Sequence, residues 1–299
     1  MKSPWVSVLF IAIVLIGVDA RIAHADDTDA NAAATLRGKY DSLQNRLSHN
    51  QFQKPLYLDS SETSDRVTGD IYARIEYPFA TVRAALNNPG GWCDILILHV
   101  NTKYCRASSG NLGAVLNVSI GTKYDEPLEK AYRVDFAYRV AAQTAHYLQV
   151  RLNADAGPLS TRDYRILLEA VPLESGLTFI HFSYSFSYGV VGRLALQVYL
   201  ATIGRSKVGF AVVGKRSDGQ PLYIGGIRGL VERNTMRYYL AIEAFLGAVS
   251  APSQEQLEKR LRAWFAAIER YPRQLHEMEQ REYLDMKRKE YLRQQTGPV

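Results

Sequence analysis

Apolar and polar residues alternate along most of the middle of the chain. An alternation with a period of two predicts β-strands that bury one face and expose the other. The connections between these stretches are short and rich in Gly, Asn, Ser and Pro, which is typical of antiparallel neighbours. The pattern predicts strands at residues 67–76, 99–106, 112–121, 132–141, 145–154, 163–171 and 177–188.

A single inward face can be assigned to the later strands. The assignment fixes their register, because a shift by one residue would turn every apolar side chain towards solvent. The opposite face carries charged residues, Gln, His and Ser. The predicted inward residues are Leu112, Ala114, Leu116, Val118, Ile120, Tyr132, Val134, Phe136, Tyr138, Val140, His146, Leu148, Val150, Leu152, Tyr164, Ile166, Leu168, Ala170, Ile180, Phe182, Tyr184, Phe186 and Tyr188.

A helical period replaces the alternation between Gly225 and Leu246. At about 100° per residue, this segment forms an amphipathic helix, and such a helix needs a surface to lie on. Arg233 and Arg237 fall on its polar side, which makes them poor anchors for an interior site. The fold class is therefore α+β, with a curved antiparallel sheet wrapped around one long C-terminal helix. The apolar side comprises Val231, Thr235, Tyr238, Ile242, Phe245 and Leu246.

Further helices are predicted before and after this unit. An amphipathic helix within residues 26–50 packs loosely on the main body, and an unusually apolar helix follows the last strand. Of two charged helices after Pro252, the last either packs against its neighbour or projects into solvent. The predicted divisions are 1–25, 26–62 (helix and linker), 63–250 with a lid-like insertion at 190–226, and 251–299.

The first 25 residues have the pattern of a secretory signal peptide. Lys2 supplies a positive start, residues 6–18 are apolar, and Ala23-His24-Ala25 is a small-x-small cleavage site. The apolar run is short for a membrane span, although an uncleaved anchor is the alternative. We therefore expect an exported protein, placed in the periplasm.

Export changes what the charge and the cysteines indicate. The chain carries a formal charge of +6 and has a pI of about 9.2, but an exported protein has little access to ATP, NAD or nucleic acid. No cofactor, metal or nucleic-acid partner is expected. The two cysteines, Cys93 and Cys105, predict a disulfide in an oxidising compartment. The alternative, a reactive thiol or metal site, lacks CxxC spacing and paired histidines.

The order of elements near residue 80 resembles a known family. A strand, the segment PFATVRAALNNPGGW, a short helix and another strand are similar to the opening of START-like, or SRPBCC, domains of the Bet v 1-like superfamily. The resemblance covers residues 66–247. It implies a helix-grip fold in a secreted, bacterial-type member, with a hydrophobic ligand enclosed between sheet and helix.

The inward face is richer in tyrosine than an ordinary core, which suits an apolar cavity with a few polar anchors. A solid core whose hydroxyls reach the rim is the alternative from the residues alone. The predicted ligand-binding residues are Leu116, Val118, Tyr132, Phe136, Tyr138, His146, Leu148, Tyr164, Ile166, Phe182, Tyr184, Phe186, Tyr188, Tyr238 and Ile242.

Positive charge is concentrated beside the apolar helix. The segment from Val190 to Leu240 holds eight Lys and Arg against Asp218 and Glu232, so its net charge is 8 − 2 = +6. A cationic patch next to an apolar helix suits an anionic lipid surface, and a solvated face beside a buried helix is the alternative. The residues assigned to membrane docking are Arg193, Arg205, Lys207, Lys215 and Arg216.

Three functions remain open from the sequence. The first is an exported protein that binds or transfers a lipid or another hydrophobic small molecule. The second is a cyclase-like enzyme on the same scaffold, using His146 and tyrosine hydroxyls. The third is an interaction module with a solid core, whose terminal helices contact partners. No HExxH, GxSxG or P-loop pattern supports catalysis, and a carrier without enzymatic activity is the expectation.

Overall fold

The computed structural model describes residues 19–110, 113–202 and 204–297, with side chains from Asp27 onward except that of Ser175. The apolar run of the predicted signal peptide lies outside the described residues. The first helix, α1 (Asp19–Ser48), runs through the predicted cleavage site. In the described part of the chain, no helix combines the length and apolar character needed to cross a bilayer.

Eight antiparallel strands form one sheet. Its order is β1-β2-β8-β7-β6-β5-β4-β3, so the N-terminal hairpin pairs with the last strand of the meander. The strands are β1 (Leu56–Glu62), β2 (Arg66–Ile75), β3 (Thr102–Gly110), β4 (Gly113–Ile120), β5 (Tyr132–Gln143), β6 (Leu148–Ala156), β7 (Thr161–Pro172) and β8 (Thr178–Tyr188).

The remaining elements surround this sheet. Among the described residues they comprise seven further α-helices and a two-stranded hairpin of β9 and β10. Their bounds are α2 (Phe79–Leu86), α3 (Pro89–Leu96), α4 (Val190–Ala201), β9 (Val212–Lys215), β10 (Pro221–Tyr223), α5 (Gly226–Leu246), α6 (Ser253–Ile268), α7 (Pro272–Leu275) and α8 (Gln280–Thr296).

The long helix α5 lies across β1, β2 and β8, and the predicted helix-grip fold class is confirmed. Gly69 in β2 allows the close approach, because a Cβ at this position would lie 2.3 Å from Thr235 Oγ1 on α5. The strand β1 occupies part of the predicted linker. The sheet therefore begins at Leu56, before the predicted domain start at residue 63.

The helix α5 is buried on nearly every side. Arg233 and Arg237, predicted on the polar side opposite the apolar stripe, retain only 2% and 4% exposure. This side of α5 is covered by α6, α7 and the insertion after β8. The two arginines are consequently part of the interior of the protein.

The N-terminal helix α1 packs on the outer face of the sheet. Leu36, Leu43 and Leu47 are buried there against Tyr147 and Phe179, so the contact is tighter than the loose packing expected from the sequence. Since the sheet is covered on both faces near β7 and β8, its outer face carries a second, smaller core.

A histidine between two carboxylates lies on this outer face. His181 contacts Asp70 through Nε2 (2.9 Å) and Glu169 through Nδ1 (2.8 Å), and its ring stacks on Tyr72 at 4.3 Å. Burial alone lowers the pKa of His181, but the hydrogen bonds to Asp70 and Glu169 raise it to about 8. The folded state therefore holds a proton that the unfolded chain releases at lower pH.

This linkage predicts a pH-dependent stability. A pKa raised from the ordinary value of about 6.5 contributes roughly 2 kcal/mol, fully present below pH 6.5 and lost as the pH rises through 8. Urea unfolding of the wild type and His181→Gln at pH 6 and pH 9 should show their difference shrinking by about this amount. His146→Gln, at an exposed histidine, is the control. An identical difference at both pH values would contradict the ion-pair assignment.

The predicted disulfide between Cys93 and Cys105 is confirmed. It joins α3 to β3 with the two Cα atoms 5.1 Å apart. Both residues are buried, so the bond ties the helical corner after β2 to the edge strand of the sheet.

The charged C-terminal helix α8 packs against β3 and α6 and does not project into solvent. Three of its charged or polar groups point inwards. Tyr283 donates to the Leu98 carbonyl, and Lys287 and Glu290 form a buried cluster with Lys103 of β3. The helix is charged in composition, but its inner side is attached by hydrogen bonds and ion pairs rather than by an apolar stripe alone.

Candidate functional site

The concave face of the sheet brings most of the predicted ligand-binding residues together. They belong to one buried cluster that also contains the inner side of α5. The members at which burial and orientation agree with the prediction are Leu116, Val118, Phe136, Tyr138, Leu148, Tyr164, Ile166, Phe182, Tyr184, Phe186, Tyr188 and Ile242.

Two predicted residues lie elsewhere. His146 is exposed, in the turn that joins β5 to β6, where the Thr144 hydroxyl accepts the backbone N–H groups of His146 and Tyr147. The strand β6 starts only at Leu148, so its inward face begins two residues later than predicted. Tyr132 follows the predicted alternation but is 44% exposed at the open end of β5.

The position of His146 removes the residue on which the cyclase-like alternative depended. An acid or base in a cavity must reach the ligand, and this side chain lies at the surface. Among the described residues, no group of three or more His, Cys, Asp or Glu side chains is arranged to hold a metal ion.

Aromatic rings occupy much of the space between the sheet and α5. Tyr164 stacks on Phe186 with ring centroids 5.4 Å apart, and Tyr184 lies 5.4 Å from Tyr238. A ligand with a long chain therefore has to displace ring contacts in this conformation. Several hydroxyls already have protein partners: Tyr164 contacts Thr161 at 2.6 Å, and Tyr188 donates to Glu62 at 2.9 Å.

Tyr238 lies on the side of α5 that faces the aromatic residues of the sheet. Its ring faces the sheet, but the side chain is only half-buried, as is that of Asn234 one turn earlier. Burial raises the pKa of the Tyr238 hydroxyl. Because the Tyr238 ring contacts the aromatic residues of the sheet and its side chain is still partly accessible, we locate the candidate site around it.

His99 adds a hydrogen-bond donor to this site and was missed by the sequence reasoning. Its ring lies 5.0 Å from that of Tyr238, and it is 4% exposed. Burial, followed by the charge of Arg237, lowers the pKa of His99, so the ring is neutral. Because Nδ1 accepts from the Asn101 N–H, the proton is assigned to Nε2, and the Asn234 side chain lies close to the ring.

A cationic cluster lies on the far side of α5 from the sheet. We define it as Lys123, Lys207, Arg233 and Arg237, which surround the carboxylate of Glu277. The Glu277 oxygens lie 2.6 Å from Arg237, 3.1 Å from Lys123 and 3.6 Å from Lys207. Burial opposes the ionisation of Glu277, but Arg237 and Lys207 hold the pKa of this carboxyl below its ordinary value.

The apolar helix α4 is exposed along one side rather than buried. Only Gly192 and Leu196 are fully covered, on the side that faces the protein. The outer side presents Val190, Val191, Leu194 and Val198, with exposures of 87%, 70%, 62% and 56%. Large apolar side chains grouped in this way are unusual on a protein that remains free in water.

The residues assigned to membrane docking divide into two sets. Arg205, Lys215 and Arg216 are exposed. Arg193 lies over the Tyr188 ring and donates to the Ser64 carbonyl, while Lys207 donates to the His276 carbonyl and belongs to the cationic cluster. The last two are engaged within the protein, so they are not available to a surface.

An open groove of about 580 Å³ lies between α3, β3 and the two C-terminal helices. It contains none of the predicted ligand-binding residues. Its main charged groups are already paired, since Arg260 contacts Asp94 at 2.7 Å and covers the Phe245 ring. The candidate site is therefore placed at Tyr238 rather than in this groove.

No protein-family model matches the chain, and none of the curated proteins matches it. Among solved structures, truncated norcoclaurine synthase from Thalictrum flavum is similar at 14% identity and a TM-score of 0.33, over 48% of this chain and 89% of that protein. Human StAR-related lipid transfer protein 5 is similar at 11% identity and a TM-score of 0.30, over 60% and 90%. The strand order and α5 themselves give this chain a START-like fold, and no residue role is transferred from these proteins.

Proposed function

We propose that the protein is an exported carrier that binds a lipid or another hydrophobic small molecule between its sheet and α5. The observation that supports this most directly is the half-buried Tyr238 ring in the middle of the concave aromatic surface. An apolar site with few polar groups is the usual form of a small-molecule site, and His99 and Asn234 supply polar groups beside Tyr238.

Extraction of the purified protein tests this function. Organic extraction followed by mass spectrometry should recover an apolar ligand in a near-stoichiometric amount, and the delipidated protein should bind a fluorescent fatty acid in competition with that ligand. The proposal fails if repeated preparations yield no ligand and the delipidated protein binds no acyl probe. Export itself is tested by locating the mature chain after cell fractionation and sequencing its N-terminus.

The proposal includes docking on an anionic bilayer through the outer side of α4. A lipid carrier has to meet a membrane to load or release its ligand, and α4 presents four exposed aliphatic side chains to solvent. The exposed cations Arg205, Lys215 and Arg216 follow in the same insertion. Apolar insertion combined with attraction to anionic lipid is the established physics of interfacial helices.

Substitution of Leu194 with Asp tests the docking side. Burial of a leucine side chain contributes about 1.5–3 kcal/mol, so Leu194→Asp should weaken partitioning onto phosphatidylglycerol-containing vesicles by roughly 10- to 100-fold. Gln197→Asp is the matched control, because it adds the same charge on α4 without removing an apolar group. Binding should also weaken as salt is raised. Equal losses for the two variants, or binding that ignores salt, would contradict docking through this side.

A further inference from the structure

The cationic cluster of Lys123, Lys207, Arg233 and Arg237 carries more positive charge than the protein neutralises. Among the described residues, these four cations lie near two carboxylates, those of Glu277 and Glu232, which leaves an excess of 4 − 2 = 2 charges. Buried charges are ordinarily paired, because transfer from water is costly without a counterion. The excess of positive charge makes the cluster suited to bind an anion.

Arg233 is the least satisfied member. It is 2% exposed, and its Nη1 has no hydrogen-bond partner among the residues that the structure describes. The adjacent carboxylate of Glu232 attracts Arg233 electrostatically, but its hydrogen bonds come from Ser60, Phe210 and Ala211. Burial, followed by the neighbouring Arg237, lowers the pKa of Arg233 to about 10, which is the expected response of an uncompensated guanidinium.

The cluster borders the candidate ligand site. Arg237 approaches Asn234 Oδ1 at 3.5 Å, and the Asn234 side chain is also close to Tyr184 and His99 in the interior. Asn234 therefore lies between the cations and the aromatic surface. The apolar part of a molecule whose anionic group lies on the cluster has to pass Asn234 to reach Tyr238.

We propose that the cationic cluster binds the phosphate group of an amphiphilic ligand whose acyl part enters between α5 and the sheet. This inference rests on the proposed carrier function and names the class of its cargo, a phosphate-bearing lipid. A phosphate presents several oxygens and up to two charges, so it satisfies the free Arg233 Nη1 and offsets most of the excess of positive charge. Tyr199 of α4 interacts electrostatically with Arg233, so the docking helix adjoins the headgroup site.

Short-chain ligands that stay monomeric allow the contributions of the headgroup and of the acyl chains to binding to be measured separately. Calorimetry should compare dihexanoyl phosphatidic acid, dihexanoyl glycerol and inorganic phosphate on the delipidated protein. We expect phosphatidic acid to bind at least about tenfold more tightly than either fragment, because hydrogen bonds between charged groups are stronger than those between neutral groups. Arg233→Gln and Lys207→Gln should each remove about tenfold of that affinity and leave dihexanoyl glycerol within about twofold. Arg139→Gln and Lys259→Gln, at exposed positions, are the matched controls.

The outcomes distinguish the two proposals. Equal binding of phosphatidic acid and dihexanoyl glycerol, unchanged in Arg233→Gln, overturns the phosphate site and leaves the carrier function intact. Inorganic phosphate that binds as tightly as phosphatidic acid, without binding of dihexanoyl glycerol, supports an anion site but overturns the lipid cargo. Absence of all binding overturns both. Arg233→Met gives a second readout: its melting temperature without ligand should exceed that of the wild type, while phosphatidic acid should no longer raise it.

Discussion

Replacing Glu290 with Ala is expected to lower the free energy of unfolding by about 3–5 kcal/mol. Glu290 of α8 is 1% exposed and bridges Lys103 of β3 at 2.9 Å and Lys287 of α8 at 2.7 Å, both fully buried. Without the carboxylate, two lysines remain inside the protein with only carbonyl acceptors and a methionine sulfur. Burial lowers the pKa of Lys287 to about 8 even with Glu290 in place. Removal of the Glu290 carboxylate therefore disfavours the charged form of Lys287 further.

Urea unfolding at pH 7 measures this effect. Glu282→Ala, at an exposed glutamate of the same helix, is the control and should change the stability by less than about 0.5 kcal/mol. A fully apolar version, Lys103→Met with Lys287→Met and Glu290→Leu, should recover most of the loss, because no buried charge remains. If Glu290→Ala were as stable as Glu282→Ala, α8 would not be attached through this cluster.

Replacing Glu232 with Ala is expected to cost about 3 kcal/mol or more and to release the insertion that carries α4. Glu232 is fully buried and accepts hydrogen bonds from Ser60 Oγ (2.6 Å), Phe210 N (2.6 Å) and Ala211 N (2.9 Å). Each buried donor left without an acceptor costs about 1–3 kcal/mol. One side chain of α5 therefore connects the edge strand β1 with the segment between α4 and β9.

Hydrogen exchange locates the consequence of this substitution. In Glu232→Ala, the amides of Phe210 and Ala211 should lose protection, while amides in the middle of the sheet, such as Leu168, keep theirs. Glu129→Ala, at an exposed glutamate, should change neither. Retained protection at Phe210 and Ala211 would mean that the insertion is held by contacts other than this carboxylate.

The sequence was sufficient to predict seven of the eight strands of the sheet, because their signal is local. Apolar residues recur at every second position of β4, β6 and β7. Leu116, Val150 and Leu168, one from each of these strands, are fully buried as predicted. When one face of a sheet packs on a core, such an alternation allows only one strand register. The antiparallel order followed from the short turns, and the long helix from its own period.

The inward assignment of His146 was wrong because the hairpin before β6 is irregular. The register of β5 and β6 shifts between Val140 and Ala142, and the turn residue Thr144 accepts two backbone N–H groups with its hydroxyl. Extrapolation of the alternation backwards from Leu148 ignores both features. A bulge of this kind leaves no mark in a pattern of apolar and polar residues.

The cationic cluster was missed for a different reason. Arg233 and Arg237 are four residues apart, a spacing that is typical of charged residues on a solvated helix face. Nothing else in the sequence of α5 indicates that the two arginines are buried. Their burial depends on Glu277 and Lys207, which come from segments far along the chain. The same applies to Lys287 and Glu290, whose partner Lys103 lies in β3.

The pairing of β2 with β8 determines when the sheet can form during synthesis. Arg66 pairs with Ser187 and Ile75 with Thr178, so the N-terminal hairpin has no neighbouring strand until the end of the meander has emerged. Contacts of such sequence separation slow folding, since the intervening chain has to be closed into a loop first. The nascent chain therefore presents an open strand edge for most of its translation, which favours holding by a chaperone until the eighth strand arrives.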